Sequence, residues 1–278
     1  MIDMPDGGTD VLPPEAVGER YDDLGWLYDL ILGGNLHIGW FDDEAPGISP
    51  SDRMTDVLIG RTPVAGGDAV LDLGCGTGRP AVRLAEATGC SVTGVTVSAD
   101  QVRSARVRAE AAGLEDRVRF EVADAYGLPF PDASFDAVWA VETFMYLGDR
   151  EAAMSEVRRV LRPGGTLVLA DYVEREGAEF SDDERRTLME GYTVTSFPRS
   201  VEYAMLMAGA GLRMEECVDA TSHLRRFDAS VRRVISDNLG TVGRRAGDGF
   251  AREFAVLNER LGVVRRHHLG YLVCRARG

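Results

Sequence analysis

From residue 69 onward, short apolar runs alternate with segments in which apolar residues recur every three or four positions. The first pattern predicts buried strands and the second amphipathic helices, and their alternation predicts βαβ units around a parallel sheet. Strands are expected over 69–73, 91–95, 118–122, 135–140 and 166–170, with helices over 79–88, 99–112 and 150–161 between them. Pro163-Gly164-Gly165 reads as a helix stop and a turn into the fifth strand. Upstream, Leu24, Leu27, Tyr28 and Ile31 mark a helix over 20–32 that Gly33-Gly34 would end, and a short helix is expected over 50–61. The loop between them, 35–41, carries Leu36, His37, Ile38, Trp40 and Phe41, a composition suited to covering a site or a core. After Tyr172 the pattern weakens into a polar segment over 174–190, a helix near 201–208, a strand over 212–218 and a last strand over 269–274. The mostly helical stretch 221–262 is too long for a plain connection, so it is expected to be an insertion covering one end of the sheet.

The chemistry is concentrated after the first strand. Val70-Leu71-Asp72-Leu73-Gly74-Cys75-Gly76-Thr77-Gly78 is a buried strand running into a glycine turn that opens a helix. Glycines there let the backbone approach a ligand at the carboxyl end of the strand, where open α/β sheets bind ligands. The spacing is GxGxG, with Arg79 where the dinucleotide fingerprint wants its third glycine, and the second strand ends in Gly94-Val95-Thr96-Val97-Ser98 without the carboxylate that holds a nicotinamide ribose. A dinucleotide oxidoreductase therefore fits poorly. Asp72 needs hydrogen-bond donors at the end of a buried strand and is expected to organise the glycine loop, the plainer alternative being a turn or cap. Ser98 and Gln101 form an S-x-x-Q capping box.

Asp72 to Gly78 resembles motif I of the class I S-adenosylmethionine-dependent methyltransferases, and further matches follow in order. Ala123-Asp124-Ala125 stands just beyond the third strand, Pro129-Phe130-Pro131-Asp132 and Ser134-Phe135-Asp136 resemble the family's lead into strand four, and Arg162-Pro163-Gly164-Gly165-Thr166 resembles the turn before strand five. Tyr21-Asp22-Asp23-Leu24 and the segment from Gly33 to Trp40 are similar to bacterial natural-product enzymes such as rebeccamycin-type sugar O-methyltransferases. The resemblance covers roughly 21–172, about half the chain. It implies an α/β, Rossmann-like seven-stranded sheet of order 3-2-1-4-5-7-6 with the last strand antiparallel. It also implies a helical cap and access loop over 1–62, and a core over 63–278 with its lid at 221–262. The implied cofactor is S-adenosyl-L-methionine, leaving as S-adenosyl-L-homocysteine. The residues expected at it are His37, Asp72, Gly74, Gly76, Thr96, Ser98, Gln101, Asp124 and Ala125. A capping role for Ser98 and Gln101 and a contact to the ribose stay open together, as do cofactor contact and loop packing for His37.

In the related O-methyltransferases a histidine at the position matching Tyr146 works with an aspartate matching Asp171. Here the histidine is absent, so that base pair does not carry over, and Asp171, Tyr146 and Glu142 are the catalytic candidates. Methyl transfer is an in-line displacement for which well-oriented proximity contributes about 7–11 kcal/mol, so a strong base is optional for a reactive acceptor. The expected reaction is methylation of oxygen on an apolar or glycosylated small secondary metabolite. C-methylation of a prenyl or aromatic carbon, which resembles geranyl diphosphate and prenyl-indole C-methyltransferases, and a cofactor-retaining cyclase are the alternatives.

Composition narrows the partners. Against 45 acidic residues stand 31 basic ones, all arginine, giving a formal charge of −14. That balance disfavours nucleic acid and anionic membranes, and without lysine there is no Schiff base or Walker lysine. No metal is expected, since His267 and His268 have no third ligand spaced to join them. Cys75, Cys90, Cys217 and Cys274 show neither zinc nor disulfide spacing. With an acidic N-terminus lacking a leader pattern and no apolar run of membrane length, a reducing, cytoplasmic setting is expected. The family's access helices suit packing between subunits, so a homo-oligomer is an admissible assembly.

Overall fold

The computed structural model describes residues 11–42 and 47–278; positions 1–10 and 43–46 of the expected N-terminal cap lie outside them. Seven strands form one sheet: β1 (Ala69–Leu73), β2 (Ser91–Thr96), β3 (Val118–Val122), β4 (Phe135–Val141), β5 (Leu161–Glu174), β6 (Arg213–Asp219) and β7 (Leu269–Arg277). Their order is 3-2-1-4-5-7-6, and β7 runs antiparallel to both neighbours while β1 to β5 pair in parallel. The helices are α1 (Pro14–Leu32), α2 (Pro50–Ile59), α3 (Arg79–Thr88), α4 (Ala99–Ala111), α5 (Arg150–Val160), α6 (Asp182–Tyr192), α7 (Ser200–Gly209), α8 (Thr221–Ala246) and α9 (Asp248–His268). Among the described residues no helix is long and apolar enough to cross a membrane.

A parallel sheet covered on both faces buries both sides of its central strands, so β1 reads as a continuous apolar run. Leu71 and Leu73 pack with Val138 and Leu167 against α5 and α7 on one face, while Val70, Trp139 and Val168 pack against α2, α3 and α4 on the other. Leu27 of α1 joins Val242 and Ala251 of the α8–α9 pair in a separate small core, which makes these three helices a cap.

Three elements differ from the sequence reading. The fifth strand runs to Glu174, because its antiparallel ladder with β7 continues from Thr166↔Arg277 to Glu174↔Leu269. The segment expected to be a polar loop contains α6, whose first turn holds Asp182, Asp183 and Glu184 under a Ser181 capping box; carboxylates are favourable at a helix N-terminus, and they hide the helix from an apolar-periodicity search. The lid helix α9 continues past 262 to His268, whose ring lies 3.1 Å from Glu184 Oε1 and packs on Phe180. Cys217 and Cys274, unassigned by spacing, are register partners on β6 and β7 and form a disulfide, whereas Cys75 and Cys90 are free and buried.

Gly94 on β2 marks how tightly the sheet and its helices are packed beside the glycine turn. A Cβ there would lie 2.5 Å from the Phe120 ring and 2.8 Å from Cys75 Cβ. Overpacking a filled core costs about 1–3 kcal/mol. Gly94→Ala should lower the unfolding free energy by that amount in urea denaturation; a change below about 0.5 kcal/mol, the usual effect of a surface substitution, contradicts this packing.

Candidate active site

Strand order reverses between β1 and β4, and ligands bind in such a crevice beyond the carboxyl ends of the strands. Two cavities open there. A cleft of about 790 Å³ lies over the turn after β1, with Gly74, Gly76, Thr96, Gln101, Asp124 and Ala125 in its lining. A chamber of about 2120 Å³ lies beneath α1, α6 and the α8–α9 pair, lined by Tyr28, Tyr172, Phe227, Phe254 and Leu257 among others. Tyr21, Leu36, Glu142 and Tyr146 line both cavities and form the partition between them.

The cleft exists because every second residue of the turn after β1 is glycine. Gly74, Gly76 and Gly78 all have positive φ, at 78°, 52° and 77°. A Cβ on Gly74 would collide with Thr143, whose hydroxyl donates to the Leu73 carbonyl at 2.9 Å and so ties the end of β4 to the end of β1. Gly78 has a different task, since a Cβ there would press 2.5 Å from Phe120 and 2.7 Å from Ala105; its absence permits close packing of strand and helix.

The access loop is pinned onto this turn. Thr77 donates to the Gly34 carbonyl at 2.9 Å, and Arg79 forks onto Asp52 at 2.9 and 2.7 Å while Asn35 donates to the same carboxylate at 3.0 Å. Against the upward pull of partial burial, these bonds hold the Asp52 carboxyl down at about 2. Arg79, which replaces a dinucleotide-type glycine, is thereby the anchor that sets Leu36 in the partition. Helix α1 closes the other side: Asp22 accepts from the Ser98 hydroxyl, and Tyr21 donates to Tyr146 at 3.1 Å.

The sequence-predicted residues separate into groups. Gly74, Gly76, Thr96, Gln101, Asp124 and Ala125 line the cleft together. Ser98 does not line it: the hydroxyl accepts from Gln101 N–H as a helix cap and reaches Asp22. Only half of the expected capping box forms, because the Gln101 side chain turns to Thr96, 2.6 Å away, at the cleft wall. Asp72 lies beneath the cleft, 3% exposed, with Oδ2 finding no partner among the described residues, and burial pushes its carboxyl up to about 7. His37 faces the chamber instead of the cleft. Its Nδ1 meets the Ile38 carbonyl at 2.8 Å; a carbonyl only accepts, so Nδ1 carries the proton and Nε2 faces the Thr55 hydroxyl, in a ring that burial keeps neutral.

The catalytic candidates divide likewise. Glu142 and Tyr146 stand in the partition, but Asp171 is fully buried behind it and lines neither cavity. Its carboxylate accepts from Met145 N–H at 3.1 Å and Tyr172 N–H at 2.9 Å, so it holds the single turn Phe144–Tyr146 from beneath. Glu142 has a positive φ of 49° for a residue with a side chain, and its Oε1 accepts from Ile38 N–H at 2.7 Å and from the Tyr271 hydroxyl at 3.0 Å. Burial, reinforced by the nearby Asp171, raises its carboxyl to about 8 in spite of these bonds. Burial also pushes the Tyr21 and Tyr146 phenols up, so both are neutral hydroxyls. Tyr21 and Leu36 lay inside motifs visible in the sequence; Tyr271, on the last strand, carried no local signal.

Comparison with known proteins agrees with this geometry. Residues 70–165 match the family profile described as a methyltransferase domain. The chain is 40% identical over 234 residues to methyltransferase GfsG of Streptomyces halstedii, covering 82% of this chain and 83% of that one. It is 41% identical over 214 residues to 27-O-demethylrifamycin SV methyltransferase of Amycolatopsis mediterranei, covering 76% and 79%. The crystal structure of the [4+2]-cyclase SpnF superimposes with a TM-score of 0.83 at 31% identity, covering 98% of each chain. The chain belongs to the class I S-adenosylmethionine-dependent methyltransferases of natural-product type. Its cofactor is S-adenosyl-L-methionine.

Asp72 supplies a test of this electrostatic description. Its folded carboxyl keeps a proton that the unfolded chain, at 3.8, has lost. The stabilising contribution is therefore full below about pH 4 and is lost as pH rises through 7, by about 1.4 kcal/mol per pH unit at most. Asp72→Asn lacks this titration. In cofactor-free protein its unfolding free energy relative to wild type should climb from pH 4 to 7 and then level; a difference independent of pH contradicts a buried, unpartnered acid.

Proposed function

We propose that the cleft holds S-adenosylmethionine and the chamber a largely apolar secondary metabolite, which is methylated on a hydroxyl oxygen. The cofactor reading is supported by the side-chain-free floor at Gly74 and Gly76 and by the orphaned Asp72 Oδ2 beneath it, which has an unmet need for a donor. Thr96, Gln101, Asp124 and Ala125 are the residues placed to hold the nucleoside, and Leu36 and Tyr21 to cover it. When bound, S-adenosylmethionine supplies an electrophilic methyl group on a sulfonium.

The observation that carries the reading is Glu142. Among the described residues it is the acid that lines both cavities, so it reaches the place where donor and acceptor meet. Ile38 N–H and the Tyr271 hydroxyl fix Oε1, and the carboxylate takes the hydroxyl proton as the acceptor oxygen becomes nucleophilic. A general base works best with a pKa near the working pH, which burial achieves here. The Tyr146 hydroxyl, 3.1 Å from that of Tyr21 in the partition, stands where it can orient the acceptor oxygen. Asp171 acts on the turn that carries Tyr146, as a positioning residue and not as the base. Oxygen as the target is supported by the relative whose name specifies a 27-O-demethyl substrate.

Glu142→Gln should lower kcat about 10²- to 10⁴-fold, the usual contribution of a general base, with S-adenosylhomocysteine affinity unchanged in calorimetry. Wild-type kcat/KM should rise with pH up to about 8, because the protonated carboxyl cannot accept a proton, and the variant should lose that limb. A variant retaining wild-type rate and profile removes Glu142 from the chemistry. The first acceptor to use is 27-O-demethylrifamycin SV, followed by other hydroxylated polyketides.

A second reading is favoured by the likeness to a [4+2]-cyclase over 98% of both chains, together with a chamber large and apolar enough to fold a long acceptor. Trideuteromethyl cofactor separates the readings. A product gaining CD3 on oxygen supports the proposal, CD3 on carbon replaces it with C-methylation, and an isomer of unchanged mass establishes a cyclase.

A further inference from the structure

Helices α8 and α9 bury a cluster of charge that the proton transfer at Glu142 leaves unused. Arg265, 6% exposed, donates through Nε and Nη2 to Asp228 Oδ1 at 2.9 and 2.6 Å, while Arg266 takes Oδ2 at 2.8 Å and Arg232 approaches the same oxygen at 3.7 Å. Gly262 leaves the room for this carboxylate, since a Cβ there would lie 3.0 Å from Oδ1. One Asp228 therefore serves three guanidiniums. Arg266 and Arg232 are each 36% exposed and share their charge with water, whereas Arg265 faces the chamber from within.

The remaining arm of Arg265 polarises a pair of phenols. Nη1 donates to the Tyr192 hydroxyl at 2.9 Å, and the Tyr192 and Tyr172 oxygens lie 3.5 Å apart. Each phenol has one hydrogen. Arg265 occupies a lone pair of Tyr192, and at most one phenol hydrogen lies between the two oxygens. Whichever way the pair is oriented, one hydrogen is left without an acceptor among the described residues. Tyr172 is 1% exposed and both rings line the chamber. Buried hydroxyls normally find a partner, and hydrogen bonding to a cation strengthens the donor further along the chain.

We propose that the Arg265–Tyr192–Tyr172 relay is a substrate-recognition site that donates one hydrogen bond to an acceptor-only oxygen, a ketone, ester or quinone carbonyl, on the molecule held in the chamber. This carbonyl is a second oxygen, separate from the methylated one. Tyr172 packs edge-on against Tyr271 at 5.3 Å, and it is Tyr271 that bonds Glu142, so the donor stands one ring away from the base. The relay selects acceptors whose carbonyl and nucleophilic oxygen are separated by that span, and discriminates against hydrocarbon analogues with no oxygen at that position. A site built to bond a polar group rejects an analogue without that group, because its own donor is then left unpaired.

The inference rests on the reading that the chamber holds the acceptor, and its test does not use methyl transfer. The probes are 6-propionyl-2-(dimethylamino)naphthalene and its analogue with C=CH2 in place of C=O, titrated into full-length protein saturated with S-adenosylhomocysteine. Wild type should bind the ketone about 10-fold more tightly than the alkene, one neutral hydrogen bond's worth, and should move the bound C=O stretch to lower frequency. Tyr172→Phe/Tyr192→Phe, which removes two oxygens and no carbon, should equalise the two affinities and restore the stretch, with S-adenosylhomocysteine affinity unchanged. The single variants identify which phenol donates. Equal binding of both probes to wild type, or a preference that survives the double substitution, overturns the inference alone; binding of neither overturns it together with the assignment of the chamber.

Discussion

With no Cβ at Gly74, the turn after β1 can lie directly against Thr143 at the end of β4, and the rest of the site follows from that contact. It draws two parallel strands together at the point where the chain order reverses, and it throws the residue before Thr143 outward. Glu142 takes up a left-handed backbone conformation that residues with side chains adopt at a cost. That conformation is stabilised from three directions: its N–H donates to Ala170 O at 2.7 Å, and its carboxylate is held by the access loop and by β7. The cleft and the chamber share a wall because this residue is turned there.

Around that wall stand three acids, Asp72 and Asp171 buried and Glu142 half-buried, none in an ion pair among the described residues. Burial moves Asp72 and Asp171 to about 7 and Glu142 to about 8. A core optimised only for stability would not hold them, since a buried polar group costs free energy unless it is fully bonded. Their placements differ in a telling way. Asp171 is satisfied by two backbone amides and serves the turn; Glu142 has bonds on one oxygen only; Asp72 has an oxygen with none. Satisfaction decreases toward the cavities, as expected where a ligand completes the bonding.

What was legible in the sequence follows from which forces leave a local trace. Strand β1 could be bounded to the residue because burial on both faces writes an apolar run between turn signals, and β3 because Val118, Phe120 and Val122 alternate with Arg119 and Glu121. The glycine turn and the cleft wall beyond β2 and β3 were readable for a similar reason: backbone proximity to a ligand demands glycine and small residues at fixed offsets. Orientation left no such trace. Ser98, His37 and Asp171 sit in the right segments, yet a cap, a loop-packing bond and a turn bond direct them away from the cleft. The lid helices over the chamber were legible but its lining was not, since Tyr28, Tyr172, Tyr192, Phe227 and Arg265 come from five elements brought together by the cap, and α6 hid behind its acidic first turn.

This division has a chemical consequence. The cleft is built from backbone and from short side chains on strand ends, so it can change little without changing shape. The chamber is built from side chains of α1, α6, α8 and α9, where a single substitution changes shape or polarity without touching the sheet. The reaction proposed over the cleft can therefore vary while the cleft itself stays as it is, because among the described residues Tyr21, Leu36, Glu142 and Tyr146 are those that line both cavities. Of these, Glu142 alone exchanges a proton near neutral pH, since the two phenols are held far above it. Transfer to a hydroxyl needs that exchange, whereas a pericyclic closure in the same chamber would need only shape. A partly bonded acid at the partition, held at a cost in stability, is therefore what the proposed transfer to a hydroxyl would use and a cyclisation would not.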